Sequence, residues 1–264
     1  IMNFTWTPKP INGSINIYCS YYRDDAKNKK NEEYAASGIV DKQVNRSNKD
    51  VPDLLSLNIE YDSNDSLRNQ FKLAYGLLSG KDDFSENFCN NLDLAGFMGK
   101  KINGHQHILE GQYMYKIPTL EFKVGTQVYL SRLKENYRED VSLLSNYHIT
   151  ENLNSFYTSL QWKFLPKASL YIGARYEHTY YKYLDDGDKG SETYGNFAPS
   201  LVFSWKVQNN YDTSLKFSSE NIRPGFYDLL PGKTIVSDKQ YSQGNIALMP
   251  CKKYKLSWEN LLFH

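Results

Sequence analysis

The sequence predicts an all-β fold, a transmembrane antiparallel up-and-down β-barrel with about eleven strands present, part of a larger barrel. Segments of alternating apolar and polar residues recur along the chain, pairs of them meet at turns of a few residues, and long polar stretches separate the pairs. Short connections at one end and long ones at the other are what an outer-membrane barrel requires.

Ser14 to Tyr22 opens the pattern, with Ile15, Ile17, Cys19 and Tyr21 on one face. The clearest hairpin runs from Pro52 to Leu78. Leu55, Leu57, Ile59 and Tyr61 share one face and Ser56, Asn58 and Glu60 the other, because successive strand side chains point to opposite sides. Asp62 to Ser66 supply a polar turn. The return strand sets Leu67, Asn69, Phe71, Leu73, Tyr75 and Leu77 against Arg68, Gln70, Lys72, Ala74 and Gly76, with no formal charge on the apolar side. After the turn at Pro118, Leu120, Phe122, Val124, Val128 and Leu130 lie opposite Glu121, Lys123, Gln127 and Tyr129. From Ser169 to Tyr181, Leu170, Ile172, Ala174, Tyr176, His178 and Tyr180 alternate with Tyr171, Gly173, Arg175, Glu177 and Thr179. A last alternating run, Tyr254, Leu256, Trp258 and Leu262 against Lys255, Ser257, Glu259 and Leu261, reaches the end of the chain.

Alternation is shared by membrane barrels and soluble sandwiches, so length and connectivity decide between them. Soluble strands average about 5–6 residues, whereas a tilted strand crossing a bilayer needs about 9–11. Most of these segments meet the longer figure. Tight turns are expected near residues 8–12, 62–66, 117–119, 165–167 and 208–212, and loops around 24–51, 80–104, 133–151, 183–193 and 222–251. Loops beyond about 12–15 residues are unusual in compact domains but normal on the outer side of such barrels.

Composition agrees. Tyr accounts for 22 of 264 residues, and many aromatic residues fall near predicted strand ends, among them Tyr113, Tyr115, Trp162, Phe164, Tyr180, Tyr181, Phe203, Trp205 and Trp258, where interfacial girdles belong. A mean hydropathy of -0.63, with no apolar run approaching the ~18 residues a helix needs to span, excludes a helical span but not a barrel, whose interior and loops are polar. A net charge of +1, with no basic stripe interleaved with aromatics, points away from nucleic acid. Cys19, Cys89 and Cys251 are too few and too scattered for a disulfide framework or metal site; Cys19 is expected to face lipid, and the other two to lie in loops. Alternating segments run into both ends, and the strand count is odd, so residues 1–264 read as part of a barrel domain with open strand edges.

The second half carries a more specific signal. Residues 151–182 read ENLNSFYTSLQWKFLPKASLYIGARYEHTYYK, 194–205 YGNFAPSLVFSW, 222–231 IRPGFYDLLP and 244–250 GNIALMP. In that order and spacing they resemble the outer-membrane β-barrel family of TonB-dependent receptor-like proteins common in Bacteroidetes, over roughly residues 105–264. Matching positions include Arg223 and Pro224 of the I-x-R-P segment, and Gly244, Asn245 and Pro250 of the G-N-P-x-L-x-P segment. The chain departs from the pattern at Glu220 and Asn221, where the family carries paired arginines, at Leu229–Leu230–Pro231 for L-N-P, at Ile246 for a proline and at Cys251 for an acid. These changes bear on lumen contacts of the missing arginines and leave the fold untouched.

The resemblance implies an importer: a barrel of about 22 strands closed by an N-terminal plug and driven through the inner-membrane TonB complex. Its partners would be outer-membrane lipid, the plug of the same full-length chain and the TonB complex, with no cofactor and no nucleic acid. An Arg on lipid near the midplane costs about 2–4 kcal/mol, so Arg175 and Glu177 are expected to face the lumen. With Arg68, Lys72, Glu121 and Lys123 they are candidates for plug contacts or the substrate path; the commoner role of such charges is ion pairing along a wet wall. His105 and His107 share a strand face without a third metal ligand. Asp185, Asp186 and Asp188, with Gly187 and Gly190, resemble part of a calcium loop but lack its spacing. No catalytic motif is present, and no enzyme activity is expected. Energised import of a siderophore, glycan or peptide ranks first, a passive pore or surface-binding barrel second, and a barrel enzyme a distant third.

Overall fold

In the computed structural model, a single antiparallel sheet of thirteen strands dominates the molecule. The structure describes residues 2–7, 13–36, 39–63, 68–90, 95–139, 142–185, 188–208, 210–229, 233–237 and 240–262. The strands are β1 (Met2–Trp6), β2 (Gly13–Arg23), β3 (Ala26–Ala36), β4 (Ile39–Asp50), β5 (Asp53–Ser63), β6 (Asn69–Asn90), β7 (Ala95–Ile117), β8 (Leu120–Glu139), β9 (Ser142–Leu165), β10 (Ala168–Asp185), β11 (Asp188–Gln208) and β12 (Tyr211–Ile222). A one-turn helix, α1 (Phe226–Leu229), and a small hairpin, β13 (Lys233–Ser237) with β14 (Gln240–Gln243), precede the last strand, β15 (Cys251–Leu262). Eleven strands form an up-and-down path, β1-β2-β5-β6-β7-β8-β9-β10-β11-β12-β15, while β3 and β4 pair beside it and β4 joins the outer end of β6. Among the described residues no helix is long and apolar enough to cross a membrane; the strands do so.

Register follows the alternation. Leu55, Leu57, Ile59 and Tyr61 meet Ser79, Leu77, Tyr75 and Leu73 across β5 and β6. Two-residue turns close Ile117 to Leu120 and Leu165 to Ala168. The predicted turn residues 8–12 and 64–66 lie outside the described residues. One face of the sheet is apolar and water-averse, yet uncovered: Leu109 is 49% exposed, Phe156 54% and Phe197 52%. A continuous uncovered apolar face is untenable in water and is what a lipid-facing wall presents. From Phe122 to Leu130 the band takes in nine residues of β8, about 26 Å along the strand, or about 20 Å of height at a strand tilt of about 35–45°, near the band of about 25 Å in outer-membrane barrels. Phe156, Tyr176 and Phe197 stand opposite one another across β9, β10 and β11, at the level of Thr126 in the middle of the band, and Trp162, Phe164 and Phe203 cluster near the short turns, with ring centroids 5.4 and 6.4 Å apart.

Several expectations need correction. Nearly all the described residues within the stretches 24–51, 80–104, 133–151 and 183–193 are paired strand rather than loop, so that β6 to β9 reach 20–24 residues each. Beyond the apolar band both faces meet water, so alternation disappears while backbone pairing continues. Cys89 and Cys251 accordingly sit in β6 and at the start of β15; Cys19 lies opposite Leu57, on the apolar face as expected. Tyr181 is not a girdle residue: it is 5% exposed, on the polar face. Its partner across β9 is Glu151, whereas Tyr180 pairs with Asn152 on the apolar side.

Candidate functional site on the polar wall

The polar face gathers the charged residues at three levels. Nearest the short turns, Lys116 and Lys123 approach Glu121 at 3.3 and 3.4 Å. Burial there favours the neutral acid, but the hydrogen bonds and charges of the two lysines outweigh it and hold the Glu121 carboxyl below the usual carboxylate range. Arg68 is exposed beside this group, and with Lys116, Glu121, Gln161 and Lys163 it lines a crevice along the rim. Lys72 reaches Glu60 at 3.6 Å.

At mid-height Arg175 ties three strands together. Its Nε donates to Glu177 Oε1 at 2.8 Å and its Nη1 to Gln127 Oε1 at 2.9 Å, and its guanidinium lies 5.9 Å from the centroid of the Tyr157 ring. Residues two apart on a strand share a face, which places Arg175 beside Glu177. Asn221 donates to the other Glu177 oxygen at 3.3 Å. The Tyr157 hydroxyl stands 3.2 Å from both Glu110 Oε1 and Gln112 Oε1. Its ring can lie there because Gly125 has no side chain: a Cβ at that position would come 2.4 Å from the ring and hydroxyl of Tyr157 and 2.9 Å from Gly111 O. Gly125→Ala is therefore expected to displace Tyr157 and cost about 1–3 kcal/mol, measured by urea unfolding of the full-length protein in lipid vesicles; Gly76→Ala, which meets only ordinary contacts from 3.5 Å, is the control.

Above the band the chain does something alternation did not foreshadow. The connection from β12 to β15 folds inward over the polar wall. Leu229 packs with Ile102, Tyr147 and Ile149, joined by Leu133, Tyr183 and Ile246. Tyr147 and Ile149, on a sheet face that would otherwise be open, are 0% exposed. The two flanks of this loop are tied by the Asn245 N–H, which donates to Asp228 O at 2.7 Å. Gly225 N–H donates to Asp228 Oδ2 at 2.8 Å, and Ala247 N–H to Asn245 Oδ1 at 2.9 Å. The Tyr181 hydroxyl donates to Ile246 O at 3.4 Å, and burial, with Glu192 and Tyr194 nearby, pushes that hydroxyl above its usual range. Arg223 Nη1 lies 4.0 Å from Glu151 Oε1. Burial raises the Glu151 carboxyl, Arg223 opposes the rise and Glu177 adds to it, leaving Glu151 above the usual range.

The family-motif residues sit at the two ends of this loop. Arg223 and Pro224 follow the last residue of β12, where a proline removes a ladder donor. Gly244 and Asn245 follow β14, and Pro250 immediately precedes β15. Of the six lumen candidates, the structure pairs Arg175 with Glu177 and Glu121 with Lys123, and sets Arg68 in the crevice that Glu121 also lines; Lys72 pairs instead with Glu60. Sequence reasoning missed Tyr157, Glu151, Asn221 and the buried pair Lys100–Glu135 at 2.9 Å. Alternation within β9 already placed Glu151 and Tyr157 on one face, but nothing local marked which distant partner they meet. His105 and His107 lie on the apolar face, 2.9 Å from Ser79 Oγ and Tyr75 Oη respectively. No group of three metal-ligating side chains occurs among the described residues, and Asp186 and Gly187 lie outside them.

Comparison with known proteins agrees with the fold. No curated protein matches the chain. Among solved structures, the ferric yersiniabactin uptake receptor FyuA of Yersinia pestis is similar at 11% identity and a TM-score of 0.45, covering 98% of this chain and 48% of its own. The Serratia marcescens hemophore receptor HasR, in complex with its hemophore HasA and heme, is similar at 8% identity and a TM-score of 0.48, covering 94% and 47%. The ferric-catecholate import receptor Fiu of E. coli K12 is similar at 8% identity and a TM-score of 0.45, covering 98% and 53%. The chain thus spans about half the length of each. The profile of the outer membrane protein beta-barrel family matches residues 55–257, reaching well before residue 105, where the motif resemblance begins. A match over most of the chain, on a sheet with one apolar, lipid-facing side and one polar side, settles the assignment: this is a bacterial outer-membrane protein, and it belongs to the outer membrane protein beta-barrel family.

Proposed function

We propose that residues 1–264 form part of the barrel of a TonB-dependent-receptor-like outer-membrane transporter that imports a nutrient such as a siderophore, glycan or peptide. The plug and the remaining strands would belong to the same full-length chain, and the TonB complex would drive opening from the periplasmic side. The observation that carries the reading is the inward fold of the β12–β15 loop, which covers the outer part of the charged wall. A barrel whose wall is already partly occupied at its outer mouth favours gated passage over free diffusion. Arg68, Lys72, Glu121, Lys123, Arg175 and Glu177 would then present charge to the plug or to the passing solute.

The test uses the full-length protein in cells. Uptake of labelled ferric siderophores, oligosaccharides and peptides is measured with and without a protonophore. Energised import predicts uptake of one class that collapses when the proton gradient is removed. Uptake that persists, together with an open conductance of the purified protein in planar bilayers, would instead establish a passive pore.

A further inference from the structure

One apolar row crosses the polar face above the lipid band. Tyr22, Leu54, Gly80, Gly104, Leu133, Ile149 and Tyr183 are successive cross-strand partners from β2 to β10. On the opposite face, the same level carries Tyr21 and Leu55 on β2 and β5 and turns polar from β6 onward, at Ser79, His105 and Arg132. The row from Tyr22 to Tyr183 lies on the polar face of the sheet and not on the lipid face. The loop covers one half of it, over Leu133, Ile149 and Tyr183. The other half is a hollow of ≈ 450 Å³, with Leu54, Leu78 and Leu133 among its walls.

The floor of the hollow is the pair Gly80 and Gly104, directly opposite each other on β6 and β7. Glycine inside a strand weakens it and marks a close approach by something else. Neither glycine has a left-handed backbone, and a Cβ would meet only the flexible ends of leucines closely, Leu54 Cδ1 at 3.3 Å from Gly80 and Leu133 Cδ1 at 3.1 Å from Gly104. The backbone does not demand glycine here; the room does. The floor's peptide groups are engaged in the ladder, so it offers a flat surface with little to hydrogen-bond. Nearby, Gln106 Nε2 already donates to Ser131 Oγ at 3.0 Å. The volume is that of a small-ligand site, about 300–1,000 Å³. Tyr22 and Leu54, 54% and 40% exposed, stand at its open side.

We propose that this hollow binds a flat apolar ring, an aryl group carried by the imported solute, laid on the Gly80–Gly104 floor between Leu54 and Leu133. The proposal rests on the import reading and deepens it: a glycan or a peptide backbone needs many polar partners, whereas this hollow has chiefly leucine walls, with Asp82 at one side and Gln106 and Ser131 already bonded to each other. A segment of the plug is the competing occupant.

The test measures line broadening of 4-fluorophenol in ¹⁹F NMR by the full-length protein in lipid nanodiscs, with excess phenol as competitor to define the saturable part. The wild type is expected to show saturable broadening. Gly80→Ala with Gly104→Ala raises the floor and should weaken binding about tenfold or more, as misfit by one methylene in an apolar pocket does. Gly76→Ala should leave it unchanged. Leu54→Ala widens the hollow and should shift preference toward 6-fluoro-2-naphthol, which guards against a floor variant that merely misfolds. Equal saturable binding by wild type and the double alanine variant overturns the proposal. So does the absence of saturable binding in the wild type, as when the plug fills the hollow. Ring binding without energised uptake would sink the import reading and leave the site standing, so the two failures are separable.

Discussion

Arg175→Ala is expected to lower the unfolding free energy of the full-length protein in lipid vesicles by about 3 kcal/mol or more. The magnitude follows from what is left behind. Glu177 is 7% exposed, and without Arg175 its carboxylate keeps only the Asn221 amide, at 3.3 Å, among the contacts described here. A buried charge stripped of its counter-ion loses its Coulomb attraction while its desolvation cost remains. Gln127 also loses the guanidinium that joins β8 to β10. Two further variants separate this cause from simple loss of packing. Adding Glu177→Gln to Arg175→Ala removes the orphaned charge and should recover a large part of the loss. Arg175→Lys should recover less than full stability, because one ammonium does not reproduce two N–H groups directed at Glu177 and Gln127 on different strands. Urea unfolding checks all three; a change within about 0.5 kcal/mol for Arg175→Ala, the range of an ordinary surface substitution, would refute the account.

The fate of Arg175 shows what was legible in the sequence. Alternation assigns faces without any knowledge of neighbours, so the polar wall and the lipid face from Phe122 to Leu130 could be read directly; register could not, since a turn at 62–66 would set Tyr61 against Leu67, whereas Asp62 and Ser63 extend β5 and Tyr61 meets Leu73. The pairing of Arg175 with Glu177 is local, two residues along one strand, and was equally accessible. Its third partner was not: Gln127 is 48 residues away, and only the stagger of β8, β9 and β10 brings it near. The strands' full length was hidden for a different reason. From Asp82 outward on β6 the sequence reads as loop, because with water on both sides there is no apolar face to alternate, and the backbone hydrogen bonds that hold the hairpin leave no trace in side-chain pattern. Tyr181 was misread for a related cause. Near the outer rim a tyrosine suits a lipid interface and a packed lumen alike, and only the returning loop, with Ile246 O beside its hydroxyl, decides between them.

That loop provides the second large effect. Leu229→Ala is expected to cost about 2–4 kcal/mol of loop closure, because Leu229 is 9% exposed and seals Ile102, Tyr147 and Ile149 against water. The cost should be local: the strands beneath keep their own ladders, so the loop can lift while the sheet stays folded. Hydrogen exchange reads this directly at the Asn245 N–H, whose acceptor, Asp228 O, lies on the other flank of the loop. Exchange there should accelerate about thirtyfold or more, at 1.4 kcal/mol per factor of ten, while amides in the membrane-spanning part of β10 do not change. Leu248→Ala, at a residue 40% exposed, should change neither. Acid should tighten the loop rather than free it. Glu151 titrates above its ordinary value of 4.5 where it is buried, despite Arg223, so the closed loop holds a proton that an opened, hydrated Glu151 gives up. Closure is then strongest below the ordinary value and weakens as pH rises through the raised one. Glu151→Gln should abolish that pH dependence at Asn245, after correction for the intrinsic exchange rate. If closure loosens on acidification, the Arg223 charge pair and not the buried wall holds the loop in place.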